Sequence, residues 1–255
     1  KIITFHSITV KPKKKGGFTT PEEKAFYDQR EFNKWMDENY LLIGKAHFYK
    51  HDFFLAIETF RYMIIQFSNT ETVYDAQIWL ARSYLMIREY KDANAILSEL
   101  SDDPELPERL MLDFHTTYTS YYIKMRNFNK AAEHMEQALE DAKNKKHKIR
   151  YTYILAQLNE ELGNGEIATQ LYESVLKMNP PYDLIFNASI NSAISYQGGA
   201  EQSKVILESL EDMLDDIKNE EYRDQIYYAM GTVVQKNGDI TQAIDYYKLS
   251  AASTV

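Results

Sequence analysis

"YLLIGKAHFYKHDFFLAIETFRYMIIQF", residues 40–67, consists of two apolar segments joined by the short polar stretch KHDF, with one glycine and no proline. The small residues Gly44 and Ala56 lie 12 positions apart, one on each side of that stretch. The same small-to-small step occurs four more times, at Ala81 and Ala93, Thr119 and Ala131, Ala156 and Ala168, and Gly231 and Ala243. Five matches at one offset predict an internal repeat.

The repeat has a regular period. Its first small residues, at 44, 81, 119, 156 and 231, are separated by 37, 38, 37 and 75 positions, which predicts a sixth and poorer copy near residues 193–206. Each clear copy carries a turn between its two small residues, with the sequences KHDF, IREY, MRNF, LGNG and KNGD. A short turn between two helix-forming segments predicts a helical hairpin.

Physical packing explains the small residues. Two helices that cross at roughly 8–10 Å leave room only for Gly, Ala, Ser or Thr at the contact. Large residues four positions after the second small residue are expected to bury against the next repeat, namely Phe60, Leu97, Met135, Tyr172 and Tyr247. The pattern resembles the tetratricopeptide repeat, and the proline pair in MNPP, residues 178–181, supplies its helix-breaking end. The resemblance implies an all-α superhelix, an α-solenoid of about six hairpins.

Three segments are expected along the chain. Residues 1–19 form a flexible or truncated arm, because KPKKKGGFT combines like charges with two glycines. Residues 20–36 form a lead-in helix, with Thr20 as N-cap, Pro21 at the first helical position and Glu23 completing a capping box. Residues 37–255 form the repeat array, in which the copy near residues 187–220 is degenerate because Gly198 and Gly199 interrupt its turn.

Composition restricts the function. The chain of 255 residues has 38 acidic and 29 basic residues and a net charge of −9, which repels a polyanion and argues against nucleic acid as a partner. It contains no cysteine, so thiolate nucleophiles and disulfides are excluded. A first residue of Lys1 and an end at KLSAASTV indicate a mature or truncated piece of a longer protein.

Catalytic and metal-binding motifs are missing from the sequence. It has no phosphate-binding GxxxxGK or GxGxxG, no GxSxG and no HExxH. His47 and His51 have the i, i+4 spacing of two zinc ligands, but the repeat alignment assigns one to a packed position and the other to the hairpin turn. Adjacent carboxylates such as Glu160 and Glu161 are expected on a solvated helix face. We therefore predict a protein with no enzymatic activity, no metal and no cofactor.

Protein binding is the function that the repeat pattern favours. Stacked hairpins form a concave wall from their first helices, in which a peptide or helix can lie. The inward positions richest in aromatic and cationic residues are the candidate partner-binding residues Lys45, Phe48, Tyr49, Arg82, Met86 and Tyr153. Leu41, Ile78, Lys124 and Gln157 share that predicted face. The Lys and Asn residues that hold a C-terminal carboxylate in chaperone-binding repeats are missing here, which disfavours a chaperone adaptor.

Two stretches show a closer resemblance. The segment from Trp35 to Lys45, WMDENYLLIGK, and the stretch EYRDQIYYAMGTVVQKNGDITQAIDYYKLSAAS resemble the tetratricopeptide lipoprotein of the Bacteroidetes type IX secretion and gliding-motility machinery, the PorW/SprE family. This resemblance spans about residues 32–255. It implies a lipoprotein scaffold on the periplasmic side of the outer membrane, which joins other protein components of that machinery and is anchored by an N-terminal lipid outside this chain.

Two other functional classes stay open from the sequence. The first is a cytosolic tetratricopeptide adaptor for a regulatory or chaperone complex, which would share the fold but have other partners. The second is a glycan-binding envelope protein of helical-repeat type. Its expected feature, tryptophans on an exposed loop platform, is not evident, because Trp35 and Trp79 both lie in helical patterns.

Overall fold

The structure, a computed structural model, describes the backbone of residues 21–253 and the side chains of residues 35–199 and 201–253. The predictions for residues 1–19 and for the Thr20 N-cap lie outside this part. Within it the chain forms no strand, only two short 3₁₀ helices and the following α-helices: α1 (Pro21–Tyr49), α2 (Phe53–Gln66), α3 (Thr72–Met86), α4 (Tyr90–Asp102), α5 (Met111–Lys124), α6 (Phe128–Asp141), α7 (Lys145–Glu161), α8 (Gly165–Lys177), α9 (Tyr182–Ser195), α10 (Ala200–Asp215), α11 (Arg223–Lys236) and α12 (Ile240–Ser253).

The all-α helical-repeat fold of tetratricopeptide type is confirmed. Helix α1 runs without interruption through the predicted lead-in segment into the first helix of the first hairpin. The nine small residues expected at helix crossings are all buried: Gly44, Ala56, Ala81, Ala93, Ala131, Ala156, Ala168, Gly231 and Ala243. No helix in the described part of the chain has both the length and the apolar character needed to cross a bilayer.

The chain divides into two compact units, Lys1–Ser83 and Tyr84–Val255. In the first unit, α1 packs along α2. In the second, α5 packs along α6, α7 along α8 and α11 along α12, and each pair also contacts the helix that follows or precedes it. The core of the second unit therefore lies both within hairpins and at the junctions between them.

The two glycines of the small-residue pattern each lie under an aromatic ring from the same hairpin. A Cβ added to Gly44 would overlap the Phe60 ring, and one added to Gly231 would lie 2.6 Å from Cε1 of Tyr247. Both aromatic residues come 16 positions after their glycine, four after the second small residue. Phe60 also stacks on Trp79 of α3, so its expected burial against the following repeat is only part of its role, whereas the half-buried Tyr247 is shown covering the first helix of its own hairpin.

Five of the six hairpin turns share one backbone conformation. Each of these turns contains one residue with a positive φ angle: His51 (64°), Arg88 (67°), Arg126 (55°), Gly163 (78°) and Gly238 (88°). These residues are separated by 37, 38, 37 and 75 positions, the same steps as the small residues of the repeat. Each lies two residues after the last residue of the first helix of its hairpin. A residue in this left-handed conformation ends a helix and allows the chain to reverse. Three of the five turns achieve this without glycine.

The fifth hairpin explains the 75-residue step. Helix α9 keeps the register of the other first helices, since Ala193 lies 37 positions after Ala156 and is equally buried. Helix α9 ends at Ser195, three positions before the counterpart of Glu161, and the turn has four residues where the other hairpins have three, so α10 begins two positions early. The counterpart of Ala168 is then Ser203, a small buried residue whose amide donates to the Gly199 carbonyl as the Ala168 amide donates to that of Asn164. It lies ten positions after Ala193 instead of twelve, and α9 packs more extensively on α8 than on α10.

Three buried serines on α9 also distinguish the fifth hairpin from the other hairpins. Ser192 and Ser195 stand at the register positions of Leu155 and Leu158, and their buried hydroxyls, like that of Ser189, have no hydrogen-bond partner. A cavity of about 30 Å³ borders two of these serines and is lined by Leu176, Ser189, Ser192, Val205, Ile206 and Ser209. The degenerate copy predicted near residues 187–220 is therefore a hairpin whose first helix, α9, keeps the register of the repeat but packs loosely on α10.

Substituting Gly44 by Ala should destabilise the protein. Alanine is the better helix former, so an open helical site would gain stability by about 1 kcal/mol. Here the new methyl group meets the Phe60 ring, and we expect a net loss of about 1–3 kcal/mol from overpacking. Chemical denaturation measures the change. The double variant Gly44→Ala/Phe60→Leu should recover part of the loss, and an unchanged or raised stability in Gly44→Ala would contradict this packing.

Substituting Arg126 by Gly should stabilise the protein by about 0.5–1 kcal/mol. The arginine is exposed and occupies the left-handed region, which glycine adopts without a Cβ clash. The reverse change at the equivalent turn, Gly163→Arg, should destabilise by a similar amount, because a Cβ there meets nothing and only backbone strain is added. Equal melting temperatures for both variants and the wild type would refute this account of the turns.

Candidate protein-interaction site

Trp79 is the centre of the residues that the sequence singled out in the first unit. Its side chain is only 8% exposed, and its ring lies 5.2 Å from the Phe48 ring and 5.7 Å from the Tyr49 ring, both edge to face. Phe60 stacks on it at 6.4 Å. Lys45 Nζ lies 5.2 Å and the Arg82 guanidinium carbon 4.8 Å from the centre of the indole. The four predicted residues Lys45, Phe48, Tyr49 and Arg82 thus meet on one buried ring.

We refer to Trp79 and the four predicted residues around it as the Trp79 cluster, in which three of the four are half-buried and Tyr49 is exposed. Lys45, Phe48 and Arg82 are half-buried, whereas Tyr49 is 70% exposed. Cation–π contacts with a shielded indole hold the two positive charges near the surface. The cluster can therefore present a tyrosine flanked by two cations, while its remaining aromatic rings stabilise the hairpin. Sequence reasoning missed Trp79, although an aromatic residue two positions before the small Ala81 was the available signal.

The other two predicted residues lie in the second unit. Met86 is 49% exposed near the end of α3. Tyr153 is half-buried on α7, where its ring contacts Tyr172 at 5.4 Å and its hydroxyl accepts a hydrogen bond from Asn191 Nδ2 at 3.0 Å. Burial and the nearby Glu160 carboxylate raise the pKa of Tyr153. Its phenol is therefore neutral and already occupied within the fold.

A polar network surrounds Tyr153. The Tyr172 hydroxyl donates to Glu160 Oε2 at 2.6 Å, and burial together with this carboxylate strongly raises the pKa of Tyr172. Gln157, Glu160 and Glu161 line an open concavity of about 400 Å³. On α11, Lys236 Nζ donates to the carbonyl oxygen of Ile194 at 2.6 Å. These polar groups form a hydrophilic surface on the first helices of the fourth to sixth hairpins.

An apolar stripe on α2 was not predicted. Phe54 is 73% and Ile65 is 71% exposed, and Leu55 and Tyr62 are also exposed. The register positions of Phe54 and Ile65 in the next three hairpins hold polar residues only, namely Lys91, Asn129, Glu166, Asp102, Glu140 and Lys177. An alignment of the repeats would have shown that Phe54 and Ile65 are apolar at positions where the next three hairpins have polar residues. We refer to Phe54, Leu55, Tyr62 and Ile65 as the α2 stripe.

The histidine pair considered as a zinc site has separate surroundings. His51 lies in the first hairpin turn, and His47 Nδ1 lies 4.0 Å from an Asp52 carboxylate oxygen. Among the residues that the structure describes, no group of three or more His, Cys, Asp or Glu side chains is arranged to hold a metal ion.

A second histidine pair, in the second unit, was not expected. His115 on α5 and His134 on α6 place their Nδ1 atoms 3.0 Å apart, so one ring donates and the other accepts. Tyr118 stacks on His134 at 4.5 Å. Burial, the neighbouring His115 and Lys130 lower the pKa of His134 to about 4. Burial also lowers the pKa of His115, against the opposing effect of Asp141. Both imidazoles are therefore neutral at pH 7.

This pair should make the protein less stable in mild acid. The pKa of His134 is about 4 when folded and about 6.5 when unfolded, so the unfolded chain binds more protons between these values. Stability is complete above pH 6.5 and falls by about 1–3 kcal/mol as the pH approaches 4. Denaturation between pH 7 and 5 should show a shallower decline for His134→Phe, whereas His147→Phe, at an exposed histidine, should match the wild type. Parallel profiles for all three proteins would contradict the assignment.

Comparisons with known proteins support the fold. Neither a protein-family model nor a curated protein sequence matches the chain. Among solved structures it is similar to MamA, with a TM-score of 0.50 and 18% identity over 71% of this chain and 90% of that one. A second MamA structure gives 0.47 and 15% over 85% and 91%. The Rap protein complexed with Competence and Sporulation Factor gives 0.45 and 16% over 86% and 65%. At these identities the similarity shows the fold alone.

Proposed function

We propose that this protein is a non-catalytic scaffold that binds other proteins through its helical repeats. The observation that carries the proposal is the α2 stripe. Clustered exposed apolar side chains are uncommon on soluble proteins unless they bind something, and the positions that correspond to Phe54 and Ile65 in the next three hairpins are polar. Ile65 lies 11 positions after Phe54, so the stripe is about 16 Å long, enough for about three turns of a partner helix.

The Trp79 cluster supplies a second contact surface on the same unit. Tyr49 offers an exposed aromatic ring, and Lys45 and Arg82 lie close to it over the Trp79 indole. Aromatic and arginine side chains commonly dominate the binding energy of protein interfaces. We infer that affinity comes from aromatic burial, while the two cations select an acidic or carbonyl-rich segment of the partner. Met86 and Tyr153 are proposed as additional partner-binding residues of the second unit.

The finer proposal is a role in type IX protein secretion and gliding motility, on the periplasmic side of the outer membrane. It is supported by the resemblance of residues 35–45 to the PorW/SprE family, and the structure shows what several of these residues contact. Asp37 is buried and its Oδ2 accepts a 2.6 Å hydrogen bond from the Thr72 hydroxyl of α3. The Tyr40 ring packs at a tilt against Tyr62, with ring centres 4.9 Å apart, and Gly44 lies under Phe60. These residues of the motif stabilise the first hairpin and its contact with α3, whereas Trp35 is 59% exposed.

A cytosolic adaptor for a regulatory or chaperone complex is the alternative role. It would use the same surfaces and differ in compartment and partners. Fractionation of the native cells separates the two: recovery with the outer membrane supports the envelope scaffold, and recovery with the cytosol supports the adaptor.

The double substitution Phe54→Ser/Ile65→Ser should greatly reduce capture of secretion-machinery components from native cells, measured by affinity purification and quantitative mass spectrometry. Both side chains are exposed, so helicity and melting should stay close to wild type. The matched control Glu166→Ser/Lys177→Ser changes the same two register positions on α8 and should capture normally. Equal capture by both variants would place the interface elsewhere, and capture of cytosolic proteins alone would overturn the secretion role.

A further inference from the structure

The start of α7 carries a charge that no other hairpin shares. Residues 143–150, at the connection from α6 and in the first turns of α7, have a net charge of +5 with His147 neutral. The corresponding eight residues of every other hairpin have a net charge of −1 or −2, in 31–38, 68–75, 106–113, 180–187 and 218–225. The five cationic side chains are all exposed, and we refer to them as the basic patch: Lys143, Lys145, Lys146, Lys148 and Arg150.

The charges of the basic patch are not neutralised within the described part of the chain. None of its five side chains forms an ion pair or a side-chain hydrogen bond with another described residue. The first turn of α7 contains Lys145, Lys146 and Lys148 and no acidic residue. Cations are unfavourable at a helix N-terminus, because the helix dipole makes that end positive. The patch therefore costs a single copy electrostatic free energy, which a negatively charged surface from outside would offset.

A surface of opposite charge lies at the connection from α10 to α11. Residues 211–224 contain seven acidic and two basic residues, a net charge of −5. The last turn of α10 contains Asp212 and Asp215 and no basic residue, so these charges are also unfavourable for the helix dipole. Ile217, which follows, is 81% exposed. We refer to six exposed residues of this segment as the acidic patch: Glu211, Asp212, Asp215, Ile217, Glu220 and Glu221.

Hydrogen bonds fix the turn that presents Ile217. The Asp216 carboxylate accepts from the backbone amide of Lys218 at 3.0 Å, and the buried Asn219 side chain donates to the Met213 carbonyl at 2.8 Å. The exposed isoleucine is thus held among carboxylates. Lysine side chains fit such a surface, because their methylene stems can cover the apolar group while their ammonium groups pair with the carboxylates.

We propose that two copies of the protein pair edge to edge, with the basic patch of each copy docked on the acidic patch of the other. Both patches belong to the second unit, and residues 143–150 and 218–225 are register equivalents at the starts of α7 and α11. They therefore lie on the same edge of that unit, where the connections between hairpins are.

The placement of the two patches favours a closed dimer. Both copies have the same spacing between their patches, so one two-fold arrangement makes both contacts at once. The net charges of +5 and −5 are complementary, and each patch supplies the charge that the other lacks. This dimer goes beyond the scaffold role proposed above and uses none of the surfaces of the first unit.

Sedimentation velocity of the whole chain, over a range of protein concentrations, tests the dimer. The wild type should form dimers and nothing larger, and association should weaken by about tenfold or more between about 0.05 M and about 0.5 M NaCl, because salt screens the paired charges. Lys145→Glu/Lys146→Glu/Lys148→Glu should be monomeric, since both patches are then negative. Its melting temperature should not fall, because the new carboxylates suit the N-terminus of α7.

A second variant reverses the other patch, and a mixture of the two gives the decisive result. Asp215→Lys/Glu220→Lys/Glu221→Lys should also be monomeric alone, since both of its patches are positive. Mixed with the first variant, it should form a dimer with one copy of each, because its intact basic patch meets an intact acidic patch and the two reversed patches again have opposite charges.

The control variant Lys50→Glu/Lys91→Glu/Lys124→Glu changes the net charge as much as the first variant, at three exposed lysines outside the patch, and should still dimerise. A wild type that stays monomeric at every concentration would overturn the proposal and leave the two patches to partners of other sequence. Dimers that persist in both reversed variants, or a mixture that stays monomeric, would overturn it as well.

Discussion

The close approach of two helices at a small residue is the constraint on which the rest of this structure depends. At Gly44 and Gly231 the absent side chain makes room for an aromatic ring from the second helix of the same hairpin. Where the first small residue is threonine or alanine, at Thr119 and Ala156, the side chain four positions after the second small residue is also buried, as with Met135 and Tyr172. In the fifth hairpin the small residue Ser203 lies ten positions after Ala193 instead of twelve, and the pairing of α9 and α10 is weaker than in the other hairpins of the second unit.

Once each hairpin is closed, one outward side of its first and second helices remains apolar and has to be covered. Inside the second unit the next hairpin does this, as the cluster between α6 and α7 shows. Exposure compared at equal register between hairpins identifies side chains, such as those of Phe54 and Ile65, whose character departs from the rest of the repeat.

The candidate binding residues illustrate how structural and binding roles overlap in such a fold. Phe48, Lys45 and Arg82 all contact Trp79, so their substitution changes both the packing and the surface of the first unit. Tyr49, Phe54 and Ile65 are more independent, because their side chains are mostly exposed. The polar network around Tyr153 differs again, since its hydroxyl and amide groups are already paired with one another.

The sequence alone determined the hairpin repeat, its period and the buried small residues, because a helix crossing accepts few side chains and each copy repeats the same requirement. It also located four residues that meet on one ring. It did not reveal Trp79 as that ring, the exposure of Phe54 and Ile65, or the contact between His115 and His134, which lie 19 positions apart on facing helices. These features depend on which side of each helix is covered by a neighbouring helix. The packing of whole hairpins decides this, whereas the sequence shows only that a residue is apolar and not whether a neighbour covers it.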